Sequence, residues 1–190
     1  SIAKANKNTP LSEIELLIQS KYHEARLCAL LILVEQFKKA NELQRGVLYD
    51  FYLNHVNHIN NWDLVDISCP YIVGNYLLDK DRSRLYELAE SKHLWSQRIA
   101  VVSTIAFIRK GEFLDTFALA GKLLNHEHDL MHKAIGWMLR EVGKKDRAAL
   151  TDFLERNASL MPRTSLRYAI EHYPETERKA FLSVKQIKNK

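Results

Sequence analysis

An all-α solenoid of stacked antiparallel helix pairs is the fold class this sequence predicts. Three observations carry the expectation. Apolar residues recur at i, i+3, i+4, i+7 along most of the 190 residues, the spacing of a single helical face. No convincing run alternates at period two, and only four prolines and six glycines interrupt the helical pattern. The second helix of each pair also repeats at a fixed interval. Short connections then make consecutive helices antiparallel neighbours. A chain of this length, residues 1–190, reads as a single domain with its own core.

The periodicity predicts helices near 11–20, 23–40, 42–59, 62–79, 83–92, 94–110, 113–125, 129–143, 145–157, 163–172 and 175–187. Pro10-Leu11-Ser12 opens the first. Asn61 caps the 62–79 helix, and Asp63 complements its dipole. Gly111 ends the 94–110 helix and Gly143 the 129–143 helix, as C-terminal stops. Pro162 and Pro174 fit first-turn positions.

Arg26, Trp62, Arg98 and His132 stand near the starts of successive second helices, at intervals of 36, 36 and 34 residues. Small and branched apolar residues follow, as in Arg26-Leu27-Cys28-Ala29-Leu30 and Arg98-Ile99-Ala100-Val101-Val102. A period of that length with two helices per unit marks an α-solenoid. The Trp-Leu-Gly-Tyr pattern of tetratricopeptide units is missing, so the looser HEAT-like type fits better. One set of helices lines the inside of such a curve. Trp62 and Arg98 share a phase, and Asp66 lies one turn beyond Trp62 on the same face. Trp137 falls five residues after His132, near the phase of Asp66. Period alone therefore brings Trp62, Asp66, Arg98 and Trp137 to one concave surface.

Hydrophobic residues at 46% and charged residues at 27% describe an ordinary globular chain. No window reaches about 18 uncharged apolar residues, so no membrane span is expected. The run Ser1-Ile2-Ala3-Lys4-Ala5-Asn6-Lys7 has no apolar stretch behind its charges and does not read as a signal peptide. Cys28 and Cys69 sit in apolar runs without C-x-x-C spacing. They read as core thiols in a reducing cytoplasm.

Charge is unevenly spread. Residues 1–132 hold 15 Lys+Arg against 16 Asp+Glu, a net of −1, whereas residues 133–190 hold 13 against 7, a net of +6. A basic segment is the footprint of a polyanion partner, although a solvated basic surface gives the same count. Trp137, Arg140 and Lys144 follow i, i+3, i+7, so one helix face presents an indole and two cations as a phosphate track. Lys144 equally suits a helix C-terminus as a favourable cation. Arg163 and Arg167, one turn apart, extend the track. Trp95 reads as packing between repeats. The groups His126/His128/His132 and His55/His58 lack a carboxylate–histidine motif, so capping or solvation describes them better than metal binding. No Gly-rich phosphate loop and no Ser/His/Asp arrangement is recognisable.

The residues alone leave Trp62 open to a plainer reading, as cover for the next repeat. They leave Asp66 and Arg98 open to reading as a structural ion pair. Four segments in order bear on this choice: Asn61-Trp62-Asp63-Leu64-Val65-Asp66, Trp95-Ser96-Gln97-Arg98-Ile99-Ala100, Lys133-Ala134-Ile135-Gly136-Trp137-Met138-Leu139-Arg140-Glu141, and Met161-Pro162-Arg163-Thr164-Ser165-Leu166-Arg167-Tyr168-Ala169-Ile170-Glu171. They resemble the DNA alkylation repair family of HEAT-like glycosylases, the AlkD type, with a likeness running from about His23 to Glu171.

In that family a Trp, an Asp, an Arg and a second Trp form the active cleft, and the matching positions are Trp62, Asp66, Arg98 and Trp137. The resemblance implies hydrolysis of the N-glycosidic bond of cationic N3- or N7-alkylated purines in duplex DNA. It implies a monomer without cofactor, metal or membrane, in a bacterial-type cytoplasm and used at the nucleoid. Members of the family carry further helices before the segment that here begins at Ser1, so those helices are expected to be missing or shortened.

The residue types suit the chemistry. An alkylated, cationic purine is already a good leaving group and needs no general acid. A carboxylate at Asp66 suits the oxocarbenium-like sugar and can orient water. The indoles offer π faces to the cation. Arg98 is expected to hold a phosphate beside the lesion and to keep Asp66 ionised. No lysine belongs to the set, so Schiff-base strand cleavage is not expected. Two rivals remain: a non-catalytic HEAT-repeat module binding damaged or branched DNA or a protein, and a damage recogniser that keeps the cleft without cleaving.

Overall fold

A computed structural model describes residues 2–187; Ser1, part of the N-terminal run discussed above, and residues 188–190 lie outside the described residues. Its α-helices are α1 (Ile2–Ala5), α2 (Leu11–Ile18), α3 (His23–Lys39), α4 (Glu42–Asn54), α5 (Trp62–Asp66), α6 (Ser83–Glu90), α7 (Leu94–Ser103), α8 (Ile105–Arg109), α9 (Leu114–Lys122), α10 (Asp129–Lys145), α11 (Arg147–Asn157), α12 (Arg163–Ala169) and α13 (Glu175–Ser183). A 3-10 turn, Val56–His58, follows α4, and a π-helical turn, Pro70–Gly74, follows α5. Among the described residues no strand occurs and no helix is long and apolar enough to cross a membrane.

The helices form two rows. In one row α3 packs on α5, α5 on α7, α7 on α10 and α10 on α12. The partner row covers it: α2 lies on α3, α6 and α9 on α7, and α11 on α10. This is the HEAT-like solenoid that the repeat predicts, and the first row is the one carrying the repeat-phase residues. Helix α7 sits between α5, α6, α9 and α10, which explains why Ser96 and every residue from Arg98 to Ser103 are buried. Burying each large apolar side chain of this kind is worth about 1.5–3 kcal/mol.

The repeat phase has a physical meaning. Arg26 donates from Nη1 to the Ser20 carbonyl at 2.8 Å, and His132 Nε2 contacts the His126 carbonyl. Each side chain reaches back six residues and ties down the loop that enters its own helix. Arg98 differs, reaching forward to the Leu130 carbonyl of the next unit at 2.6 Å. Close approach between units also repeats. A Cβ on Gly74 would lie 2.4 Å from the Ser103 carbonyl oxygen, and one on Gly136 would lie 2.5 Å from the Ser165 carbonyl oxygen. Both separations are 29 residues, so one packing geometry is used twice.

Several sequence expectations need correction. The 62–79 helix is broken. Helix α5 ends at Asp66, the Ser68 hydroxyl donates to the Leu64 carbonyl, and the chain re-forms as the π turn, where Gly74 N–H bonds the Cys69 carbonyl at 2.9 Å. Pro70 has no N–H to continue the α ladder. The 94–110 helix divides at Thr104, whose hydroxyl donates to the Val101 carbonyl at 2.7 Å. Gly143 is no stop, because α10 runs to Lys145. A Cβ there would meet Leu150 Cδ2 at 2.5 Å, so the glycine lets α11 close on α10. Gly111, with φ +82°, does end its helix in the left-handed conformation. Pro162 and Pro174 occupy the N-cap, one residue before the first turn. Helix α1 was not foreseen, since four residues are too few to show a period.

Candidate active cleft

Helix α5 begins with an indole and ends with a carboxylate. The Asn61 side chain accepts the Trp62 N–H at 2.8 Å and fixes the helix start, leaving the Trp62 side chain 51% exposed. An indole so open at a helix start is not serving as core. Asp63 beside it accepts the Leu64 N–H at 2.8 Å through Oδ1 and pairs through Oδ2 with His23 Nε2 at 2.7 Å. That bond joins α3 to α5, in addition to the dipole-complementing role expected of Asp63.

Asp66 faces α7. Arg98 donates to it bidentately, Nε to Oδ1 at 2.9 Å and Nη2 to Oδ2 at 2.7 Å. The Asp66 side chain is 14% exposed and that of Arg98 5%. With its bond to Leu130, Arg98 therefore ties three helices of the row: α5, α7 and α10. Burial pushes the Asp66 carboxyl up from the ordinary carboxylate range, and the Arg98 guanidinium opposes that rise. A charged pair so placed holds only when both partners remain. The expected phosphate contact of Arg98 does not match this placement, because its guanidinium is buried against a carboxylate and a carbonyl.

Trp137 lies on the next helix, half-buried, and donates from Nε1 to Glu141 Oε1 at 3.2 Å. Glu141 also takes Lys144 at 2.7 Å. Arg140 contacts Glu171 of the following unit. Both cations of the expected phosphate track are thus partly neutralised within the protein. Arg163 is displaced from that track: it donates to the Leu182 and Val184 carbonyls at 2.7 and 3.1 Å, capping the end of α13. Arg167 is exposed, as a phosphate contact requires.

The sequence reasoning missed two residues. Glu141 could have been found from its i, i+4 spacing to Trp137. His23 shows a weaker signal, a polar residue at the start of the unit before Trp62. Of the other histidines, His55 bonds the Phe51 carbonyl at 2.8 Å and Glu15 at 3.1 Å, and His128 caps α10. Trp95 is half-buried against the core.

The fold is a HEAT-like α-solenoid that carries an aromatic, acidic and basic set on three consecutive helices of one row. The family model for DNA alkylation repair enzymes matches residues 1–173, and the chain belongs to that family. Its fold is shared by a solved structure described as a predicted DNA alkylation repair enzyme from Enterococcus faecalis, at TM-score 0.69 and 16% identity, covering 92% of this chain and 82% of that one. None of the curated proteins matches the sequence. Family membership makes DNA the substrate and alkylation repair the role.

Proposed function

We propose that this protein is a monofunctional DNA glycosylase that releases cationic N3- or N7-alkylated purines from duplex DNA by hydrolysing the N-glycosidic bond. One observation carries the reading: Asp66 is held ready by a bidentate arginine at the end of the helix that begins with an exposed indole.

The chemistry follows from that geometry. The base leaves as a neutral purine, so the positive charge passes to the deoxyribose. Arg98 occupies one lone pair on each Asp66 oxygen, and the exposed part of the carboxylate offers the others to the sugar and to the attacking water. Arg98 acts as a positioning residue. It fixes the carboxylate's orientation and offsets the burial that favours its protonation. Trp62 presents a π face to the cationic base or sugar, worth about 0.5–2 kcal/mol according to desolvation. Trp137, aimed by Glu141, supplies the second wall. The enzyme works as a monomer on DNA in the cytoplasm, and the free thiols Cys28 and Cys69 suit a reducing compartment.

A second reading has its own support. The Arg98 bond to Leu130 makes the ion pair a three-helix tie, as a purely binding module would use it. Incubation with duplex DNA carrying one N7-methylguanine tests the proposal. Abasic sites that break only after alkali support a monofunctional glycosylase. DNA binding without abasic sites supports the module.

A further inference from the structure

Helix α7 packs on α10, and residues at the starts of both helices line one hollow. The hollow measures about 300 Å³ and is lined by Lys92, Leu94, Gln97, His126, Glu127 and His128. Its hydrogen bonds fix the imidazole tautomers. His126 Nδ1 accepts the His128 N–H at 3.0 Å, and His128 Nδ1 accepts the Leu130 N–H at 3.1 Å. Each ring therefore carries its proton on Nε2. The His126 Nε2–H is used by Gln97 Oε1 at 2.8 Å, which turns the Gln97 amide nitrogen away from that ring. The exposed His128 ring keeps its Nε2–H as a donor, and Lys92, also exposed, lines the same hollow. Glu127 is the carboxylate of the lining and sits exposed on the rim, where water screens it. Burial and the neighbours His128 and His132 lower the His126 pKa, so this ring serves as a neutral strut.

We propose that this hollow is a phosphodiester-binding subsite, in which Lys92 and the His128 Nε2–H hold one backbone phosphate of the DNA strand that carries the lesion. The inference rests on the DNA-repair reading for its ligand and on the hollow for its place. The subsite supplies the cationic contact that Arg98, buried against Asp66, does not.

The test uses Lys92→Gln combined with His128→Asn. Asparagine keeps the α10 N-cap while removing the imidazole donor. Affinity for an undamaged duplex is measured against salt for both proteins. One lost phosphate contact makes the log–log slope shallower by about 0.9, equally for damaged DNA. An unchanged slope overturns the proposal. The unsubstituted protein is also titrated with inorganic phosphate and followed by imidazole nitrogen resonances. A shift of His128 at Nε2 supports the subsite whether or not the double variant folds, and no shift at saturating phosphate overturns it. A shallower slope in a protein that releases no base would leave the subsite standing and remove the glycosylase reading; base release with an unchanged slope does the reverse.

Discussion

Replacing Asp66 by Asn removes one charge and almost no volume. It leaves the buried Arg98 guanidinium facing an amide whose nitrogen opposes one of its donors. Breaking a buried ion pair from one side costs about 3–5 kcal/mol. At about 2–4 °C per kcal/mol for a domain of this size, the melting temperature falls by roughly 6–20 °C. Arg98→Lys breaks the same bidentate geometry yet keeps the carboxylate, so it costs stability too.

The two variants separate in the chemistry. Measured by single-turnover release of N7-methylguanine well below either melting point, Asp66→Asn falls about 10²–10³-fold, the range for losing one preorganised electrostatic group. Arg98→Lys falls less, because the carboxylate and a cationic partner both remain. Because burial raises the Asp66 carboxyl, wild-type release declines with falling pH earlier than a free aspartate would impose. The Asn variant lacks that limb. Equal losses in the two variants, tracking their melting temperatures, would refute the catalytic assignment and leave Asp66–Arg98 as a structural tie.

Other consequences can be checked directly. Trp62→Phe should retain more base release than Trp62→Ala, since a weaker π face remains; the exposure of Trp62 predicts that neither variant melts much lower, and calorimetry would show it. Arg163→Ala should lower stability with little effect on DNA affinity, because its partners are the carbonyls ending α13, whereas Arg167→Ala should weaken damaged and undamaged DNA alike in a binding titration. Gly136→Ala forces a Cβ to 2.5 Å from the Ser165 carbonyl oxygen, and denaturant unfolding should register the overpacking as about 1–3 kcal/mol.

The repeat was legible because each unit puts one polar residue at the same helical phase. That phase places Trp62, Asp66, Arg98 and Trp137 on three neighbouring helices. The job of each residue was less legible. Arg26, Arg98 and His132 share a phase, yet two bond the loop behind them and one bonds the unit ahead; which carbonyl lies within reach depends on loop geometry, not on residue type. The ion pairing along the expected phosphate track was hidden for a similar reason. Arg140 and Lys144 are spaced as expected, but Glu171 comes from the next unit and periodicity along one helix does not show it. Pro70 did carry the signal that divides the 62–79 helix, and the apolar period around it concealed the break. Gly143 looked like a stop because a helix end and a close helix contact both call for the smallest residue.

The most direct measurement compares matched duplexes that differ in a single base, N7-methylguanine or uracil, incubated with excess wild-type protein and assayed for abasic sites with time. The account predicts that the cationic purine is released, that the backbone stays intact until alkali, and that uracil remains in place. Failure to form abasic sites from N7-methylguanine, or release of uracil at a comparable rate, would contradict the claim that leaving-group charge, stabilised at Asp66, drives the reaction.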